Sequence, residues 1–202
     1  MAFLSNLFNA IRGKRTNTVA NPLRISDPTI GYLNWLGALG EKLVESDSDS
    51  LSSLFRKTVK SSSEVPRCPI LFLYCGLDAE GRIVGRAENV RDVIKSAGAY
   101  IAVIASENPG AAYVKGLGRR RDWNANIVMV LDRRGDKFVI FCRKLFEGMF
   151  AGQSMLMTWV KLAPQAQGQW QEEAPGTIMA AEAGHITFAR GSEATAADQV
   201  HR

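Results

Sequence analysis

Three short apolar runs stand out along the chain. Ile70–Tyr74, Tyr100–Ala105 and Ile127–Leu131 are hydrophobic without alternation. That is the pattern of strands covered on both faces, as in a parallel sheet. Between the first two runs lies a polar, Gly-bearing loop and then Glu88–Ala97, where Val90, Val93, Ile94 and Ala97 share one helical face. Pro69–Glu107 therefore predicts a strand–loop–helix–strand unit, with Gly98 ending the helix. After the third run, Phe138, Phe141, Cys142, Leu145, Phe146, Met149 and Phe150 recur at i, i+3, i+4, i+7, i+8, i+11 and i+12. Lys137, Arg143, Lys144 and Glu147 fall on the other face, so this is an amphipathic helix, broken by Gly152. Ser154 is placed to cap a last helix through Leu162, which Pro164 stops.

Upstream of the core the spacing predicts helices. Ser26-Asp27-Pro28 reads as a helix start, followed by Ile30, Leu33, Trp35, Leu36, Leu39 and Leu43. Ser46–Ser50 lacks the Gly and the distal Glu of a calcium loop and reads as a solvated turn before a second helix, Leu51–Lys60. Downstream, Thr177–Ala181 and Ile186–Arg190 predict a hairpin at a sheet edge. The chain thus divides into a basic amphipathic tail (1–25), a helical segment (26–64), an α/β core (66–164) and an edge hairpin with a polar tail (165–202). The expected fold is an α/β three-layer sandwich with a mostly parallel sheet, N-terminal helices and a C-terminal edge hairpin.

Composition adds constraints. At 202 residues, 46% hydrophobic and 22% charged, the chain fits one domain with appendages. No apolar run approaches the ~20 residues that span a bilayer. Of the net charge of +5, Arg12, Lys14, Arg15 and Arg24 supply +4 within the first 26 residues, which hold no acid. The excess is a tail property, so a nucleic-acid partner for the whole surface is not expected. In that tail Phe3, Leu4, Leu7, Phe8 and Ile11 fall on one helical face, with Lys14 and Arg15 beyond. The pattern suits docking on an anionic membrane surface or on a protein partner, a targeting segment, or a helix packed on its own domain. Cys68, Cys75 and Cys142 form no CxxC pair and are odd in number. They fit core residues in a reducing, cytoplasmic setting, with no cofactor implied.

Several stretches resemble chemical motifs. Gly76 and Gly81 follow a strand, but Arg82 and Ile83 stand where a P-loop needs Lys and Ser or Thr, so a turn accounts for them. Asp78, Glu80, Asp132 and Asp136 fall just after strand ends, the edge where open α/β sheets bind ligands. They are candidate metal or acid–base residues, or helix caps. Arg119-Arg120-Arg121, with Lys115, Arg133 and Arg134, form a candidate basic patch, with Trp123 the one adjacent aromatic. Cys75 or Ser106 is a candidate nucleophile, with His185 the candidate base, since His201 lies in the tail.

The order of Cys75-Gly76, Asp78–Gly81, Ile104-Ala105-Ser106-Glu107, Val130-Leu131-Asp132, the Phe-rich helix and Gly152-Gln153-Ser154 resembles the CHAT group of caspase-like peptidases. The similarity runs over about Ile70–Ala163. In that family the first strand ends in His-Gly and a later strand supplies the nucleophilic Cys. Here Cys75 matches the His position and Ser106 the Cys position. The resemblance therefore implies a caspase-like scaffold without the protease dyad: a non-catalytic regulatory or protein-interaction domain. The alternative is a hydrolase using Cys75 or Ser106 with His185, or a metal held by Asp78, Glu80 and Asp132.

Overall fold

The structure, a computed structural model, describes residues 22–117, 123–163 and 175–190. The amphipathic segment Phe3–Ile11, Arg119–Arg121, the Gln-rich stretch 165–174 and the tail with His201 lie outside them. The strands are β1 (Leu23–Ser26), β2 (Thr29–Asn34), β3 (Lys57–Ser61), β4 (Ile70–Tyr74), β5 (Ile101–Ile104), β6 (Asn126–Asp132), β7 (Gly176–Ala181) and β8 (Ile186–Ala189). The helices are α1 (Ala38–Leu51), α2 (Val90–Ala97), α3 (Gly110–Leu117), α4 (Lys137–Phe150) and α5 (Met155–Leu162).

Six strands form one sheet in the order β3-β2-β4-β5-β6-β7. All neighbours are parallel except β7, which runs antiparallel to β6. The fold is thus α/β with a mostly parallel sheet, and the alternation of side chains divides its core in two. Ile70, Phe72 and Tyr74 point into a cluster shared with Val44 and Leu51 of α1 and with Phe138, Phe146 and Met149 of α4. Leu71 and Leu73 point the other way, onto Val90, Val93 and Ile94 of α2 and onto Tyr113 of α3. Burial on both faces explains why β4, β5 and most of β6 read as unbroken apolar runs.

The helices after β4 and β6 end as their sequences suggest. Asn89 accepts a hydrogen bond from the Asp92 amide at 3.0 Å to cap α2, and Gly98, at φ 65°, closes it in the left-handed conformation. The α4 heptads bury Phe138, Phe141, Cys142, Leu145, Phe146 and Met149. The Ser154 hydroxyl accepts from the Met157 amide at 3.3 Å to start α5.

The upstream expectation is corrected. Ser26-Asp27-Pro28 does not open a helix: β1 ends at Ser26, Asp27 turns at φ 43°, and Thr29–Asn34 is a central strand. Ile30, Gly31, Tyr32, Leu33 and Asn34 are all buried. Their apolar residues serve both faces, and that double burial mimicked helical spacing. Gly31 suits this strand because a Cβ there would lie 2.5 Å from the Cys68 Sγ. The segment Leu51–Lys60 is likewise not a helix. It ends α1, turns, and enters the exposed edge strand β3, where β-branched Thr58 and Val59 lie. Ser46–Ser50 sits inside α1, with Asp47 and Ser48 buried, and is not a solvated loop.

The C-terminal strands are present, with β7 at the sheet edge, but they do not form a hairpin with each other. β8 pairs in parallel with β1 as a separate two-stranded sheet. Asn126 holds the link between them, accepting from the Ala183 amide at 3.0 Å and donating to the Gly184 carbonyl at 2.9 Å. The expected tail boundary at residue 25 falls inside β1.

Candidate functional site

The carboxyl ends of β4 and β5 bring Cys75 and Ser106 together. Register pairs Leu73 with Ile104, so the residues two beyond each strand partner are adjacent. The Ser106 Oγ donates to the Cys75 carbonyl at 2.6 Å and accepts from the Cys75 amide at 3.0 Å. Asn108 secures the same corner. Its Nδ2 donates to the Cys75 carbonyl at 3.1 Å, and its Oδ1 accepts from the Leu77 amide at 2.7 Å. Tyr113 adds a hydroxyl that donates to the Val130 carbonyl at 2.7 Å and reaches the Ser106 carbonyl at 3.2 Å. Every one of these groups is buried. The arrangement satisfies backbone groups left over where two strands end.

Neither candidate nucleophile is poised to react. Cys75 is fully buried, and loss of hydration pushes its thiol up to about 12, so the thiolate that would attack is disfavoured. The Ser106 proton is committed to a carbonyl rather than to a base. His185 does not supply that base. Its side chain is exposed, with Nδ1 3.1 Å from the Ser154 Oγ. It follows β7 at the Asn126 end of β6, level with the start of β5. Ser106 lies five residues further along, so at ~3.3 Å per residue the two are about 16 Å apart along the strand direction. The Cys75–His185 and Ser106–His185 pairings are therefore corrected: the base sits at the opposite edge of the sheet.

The carboxylates diverge as well. Asp78 accepts from the amides of Arg82 and Glu80, each at 2.9 Å, and pairs with the Arg82 Nε at 3.0 Å. The Arg82 amide foremost holds its carboxyl below the ordinary range. Glu80 faces the Lys115 Nζ at 3.3 Å. Asp132 pairs with the Arg134 Nε at 2.7 Å, and that bond lowers its carboxyl. Asp136 precedes α4 without a side-chain cap bond. Among the described residues no group of three His, Cys, Asp or Glu side chains could hold a metal.

The basic-patch reading also changes at Arg133, whose side chain is buried rather than solvated. Its Nη2 meets the Asp47 Oδ1 at 2.7 Å, and its Nη1 reaches the Asp47 Oδ2 at 3.2 Å and the Ala105 carbonyl at 2.6 Å. The Tyr74 hydroxyl donates to the Asp47 Oδ2 at 2.7 Å. The guanidinium lies 4.3 Å over the Phe138 ring. Asp47 is wholly inaccessible and Arg133 is 8% exposed. This cluster joins α1, β4, β5 and the loop after β6 immediately beside the Cys75–Ser106 corner. The Tyr32 hydroxyl is buried nearby without a hydrogen-bond partner among the described residues, and burial pushes its pKa well above that of a free phenol. One sequence signal for the cluster existed. Val44, Asp47, Ser48 and Leu51 fall at i, i+3, i+4 and i+7, which puts an aspartate on the apolar face of α1.

The sheet's carboxyl edge is thus filled by a locked corner and a buried ion pair, an arrangement that holds strand ends together and offers no activated nucleophile. Compared with family models, curated proteins and solved structures, the chain matches none.

Proposed function

We propose that the chain is a non-catalytic regulatory or protein-interaction domain on a caspase-like scaffold, carried to a partner or an anionic membrane surface by its basic N-terminal segment. One observation carries the reading. The two strand tips where the resemblance places a His and a Cys hold Cys75 and Ser106, and these are hydrogen-bonded to each other and buried. A dyad needs a base beside the nucleophile, and His185 is directed to Ser154 instead. The docking part rests on Phe3, Leu4, Leu7, Phe8 and Ile11 on one helical face, followed by Lys14 and Arg15. In this reading membrane contact is peripheral and cytoplasmic; no described helix is long and apolar enough to cross a membrane.

The test has two arms. The native full chain is exposed to a fluorophosphonate and to iodoacetamide, with labelling mapped by mass spectrometry. Cys75 is expected to alkylate only after denaturation, and Ser106 to stay unlabelled in the native and the denatured chain; native labelling of either, lost in Ser106→Ala or Cys75→Ala, would reverse the non-catalytic reading. The full chain and a variant lacking residues 1–15 are then sedimented with phosphatidylserine vesicles and with neutral ones. Salt-sensitive binding of the full chain alone, to the anionic vesicles, is expected. Equal sedimentation of both chains removes the docking part.

A further inference from the structure

A second concave site lies at the amino edge of the sheet, away from Cys75 and Ser106. It is a cavity of about 390 Å³ formed where the β1–β2 turn, the chain after α1, the end of α4 and the end of β8 meet. That volume falls at the lower end of small-ligand pockets. Phe55 and Phe150, with ring centroids 5.8 Å apart, supply apolar wall. Arg56 and Arg190 stand at the rim, both exposed.

The charges are unbalanced in favour of an anion. Asp27 is the one carboxylate among the described lining residues, and it sits 3.9 Å from the Arg56 Nη1. Arg190 makes no ion pair among the described residues; its guanidinium lies 5.6 Å from the Phe150 ring centroid. Asp27 is also one of two non-glycine residues with positive φ among the described residues, at 43°. The Ser53 Oγ accepts from the Arg143 Nη2 at 3.1 Å, which leaves its own O–H able to donate.

We infer that this cavity binds a carboxylate borne on an aryl or branched alkyl group, with Arg190 and Arg56 taking the carboxylate and Phe55 and Phe150 the apolar body. Guanidinium groups present paired N–H donors that match a carboxylate, and the aromatic wall rewards an apolar body over a bare ion. A free small acid and the terminal carboxylate of a polypeptide ending in an apolar residue share this chemistry.

The full chain is titrated by NMR and calorimetry with 3-phenylpropionate, its neutral amide and acetate. Saturable binding of the acid is expected, with the amide and acetate each about tenfold or more weaker, the scale of one charge-assisted hydrogen bond or of a lost aromatic contact. Arg190→Ala and Arg56→Ala should each weaken the acid about tenfold. Asp27→Asn should strengthen it, since a competing negative charge is removed. The rim side chains are exposed, so these variants retain the fold, checked by circular dichroism. An acetylated tetrapeptide ending in Phe, with a free or an amidated terminus, separates the sources. Tighter binding of the free-acid peptide than of 3-phenylpropionate assigns a polypeptide terminus, and exclusion of the peptide assigns a small acid. Equal binding of acid and amide, no saturable binding at all, or indifference to both arginine substitutions overturns the site.

Discussion

Arg133 and Asp47, 86 residues apart in sequence, form a two-point ion pair inside the protein, with the shorter contact at 2.7 Å. The pair is further bonded by Tyr74 and the Ala105 carbonyl, so its polar atoms are largely satisfied. A buried charge stripped of its partner is costly, whereas removing both charges together is often nearly neutral. Arg133→Met is therefore expected to lose about 3–5 kcal/mol of unfolding free energy, because it leaves the Asp47 carboxylate inaccessible and uncompensated. The double change with Asp47→Leu should recover at least half of that loss. Urea unfolding of the wild type and both variants measures it, and a loss below ~1 kcal/mol in Arg133→Met would show that water reaches Asp47.

Ser106 spends its hydroxyl on both backbone groups of Cys75. Ser106→Ala strands the Cys75 amide in a buried corner, where an unmet donor costs about 1–3 kcal/mol. For a domain of this size each kcal/mol corresponds to about 2–4 °C in Tm. The variant should melt several degrees lower while Cys75 remains unreactive toward alkylating agents in the native state. An unchanged Tm would mean that the contact contributes nothing to the corner.

Cys68 and Cys75 are both buried, and loss of hydration lifts each thiol from 9.0 to about 12 in the fold. Between those limits the unfolded chain holds fewer protons than the folded one, so stability falls as pH rises. The contribution is fully present below about pH 9 and is lost progressively toward pH 12. Each thiol steepens the loss by about 1.4 kcal/mol per pH unit within that window. Tyr32, Tyr74 and Tyr113, raised by burial, and Cys142, likewise raised, add to the alkaline sensitivity. Urea midpoints from pH 8 to 10.5 should therefore fall in the wild type and fall less steeply in Cys68→Ala/Cys75→Ala. Parallel profiles would place the alkaline transition elsewhere.

Residues with a single environment were legible in the sequence. α4 is amphipathic, and all of its buried residues except Val139 sit at positions that its spacing marks. β4 and β5 are buried on both faces, and their unbroken apolar runs say so. β2 was illegible because Ile30 and Tyr32 enter one core and Leu33 the other, a split that imitates a helix. β8 was misplaced because pairing with β1, over 160 residues away, is decided by long-range register rather than by the local Gly184 turn. The corner of Cys75 and Ser106 could be located as two strand tips, but not its hydrogen bonds. Arg133 looked like one more surface arginine, since nothing near it in the chain announces that Asp47 on another helix will receive it.

Gly148 is the contact point between α4 and α5. A Cβ placed there would lie 2.6 Å from the Thr158 Cγ2 and 3.0 Å from its Oγ1. Two effects oppose each other in Gly148→Ala. Helix propensity favours alanine by about 1 kcal/mol, while overpacking a well-filled contact costs about 1–3 kcal/mol. Thr158 is buried, and its hydroxyl already donates to the Ser154 carbonyl at 3.0 Å, so it has little freedom to move away. The clash should win, leaving Gly148→Ala less stable by about 1 kcal/mol despite the better helix former. Thr158→Ala removes the obstructing atoms at the cost of that one local bond. In the double variant the propensity gain should then emerge, with a coupling energy of at least ~1 kcal/mol between the two sites. A double-mutant cycle by urea unfolding measures this directly. Additivity within ~0.5 kcal/mol would mean that α4 and α5 separate at no cost, and that glycine at 148 is not required by the helix contact.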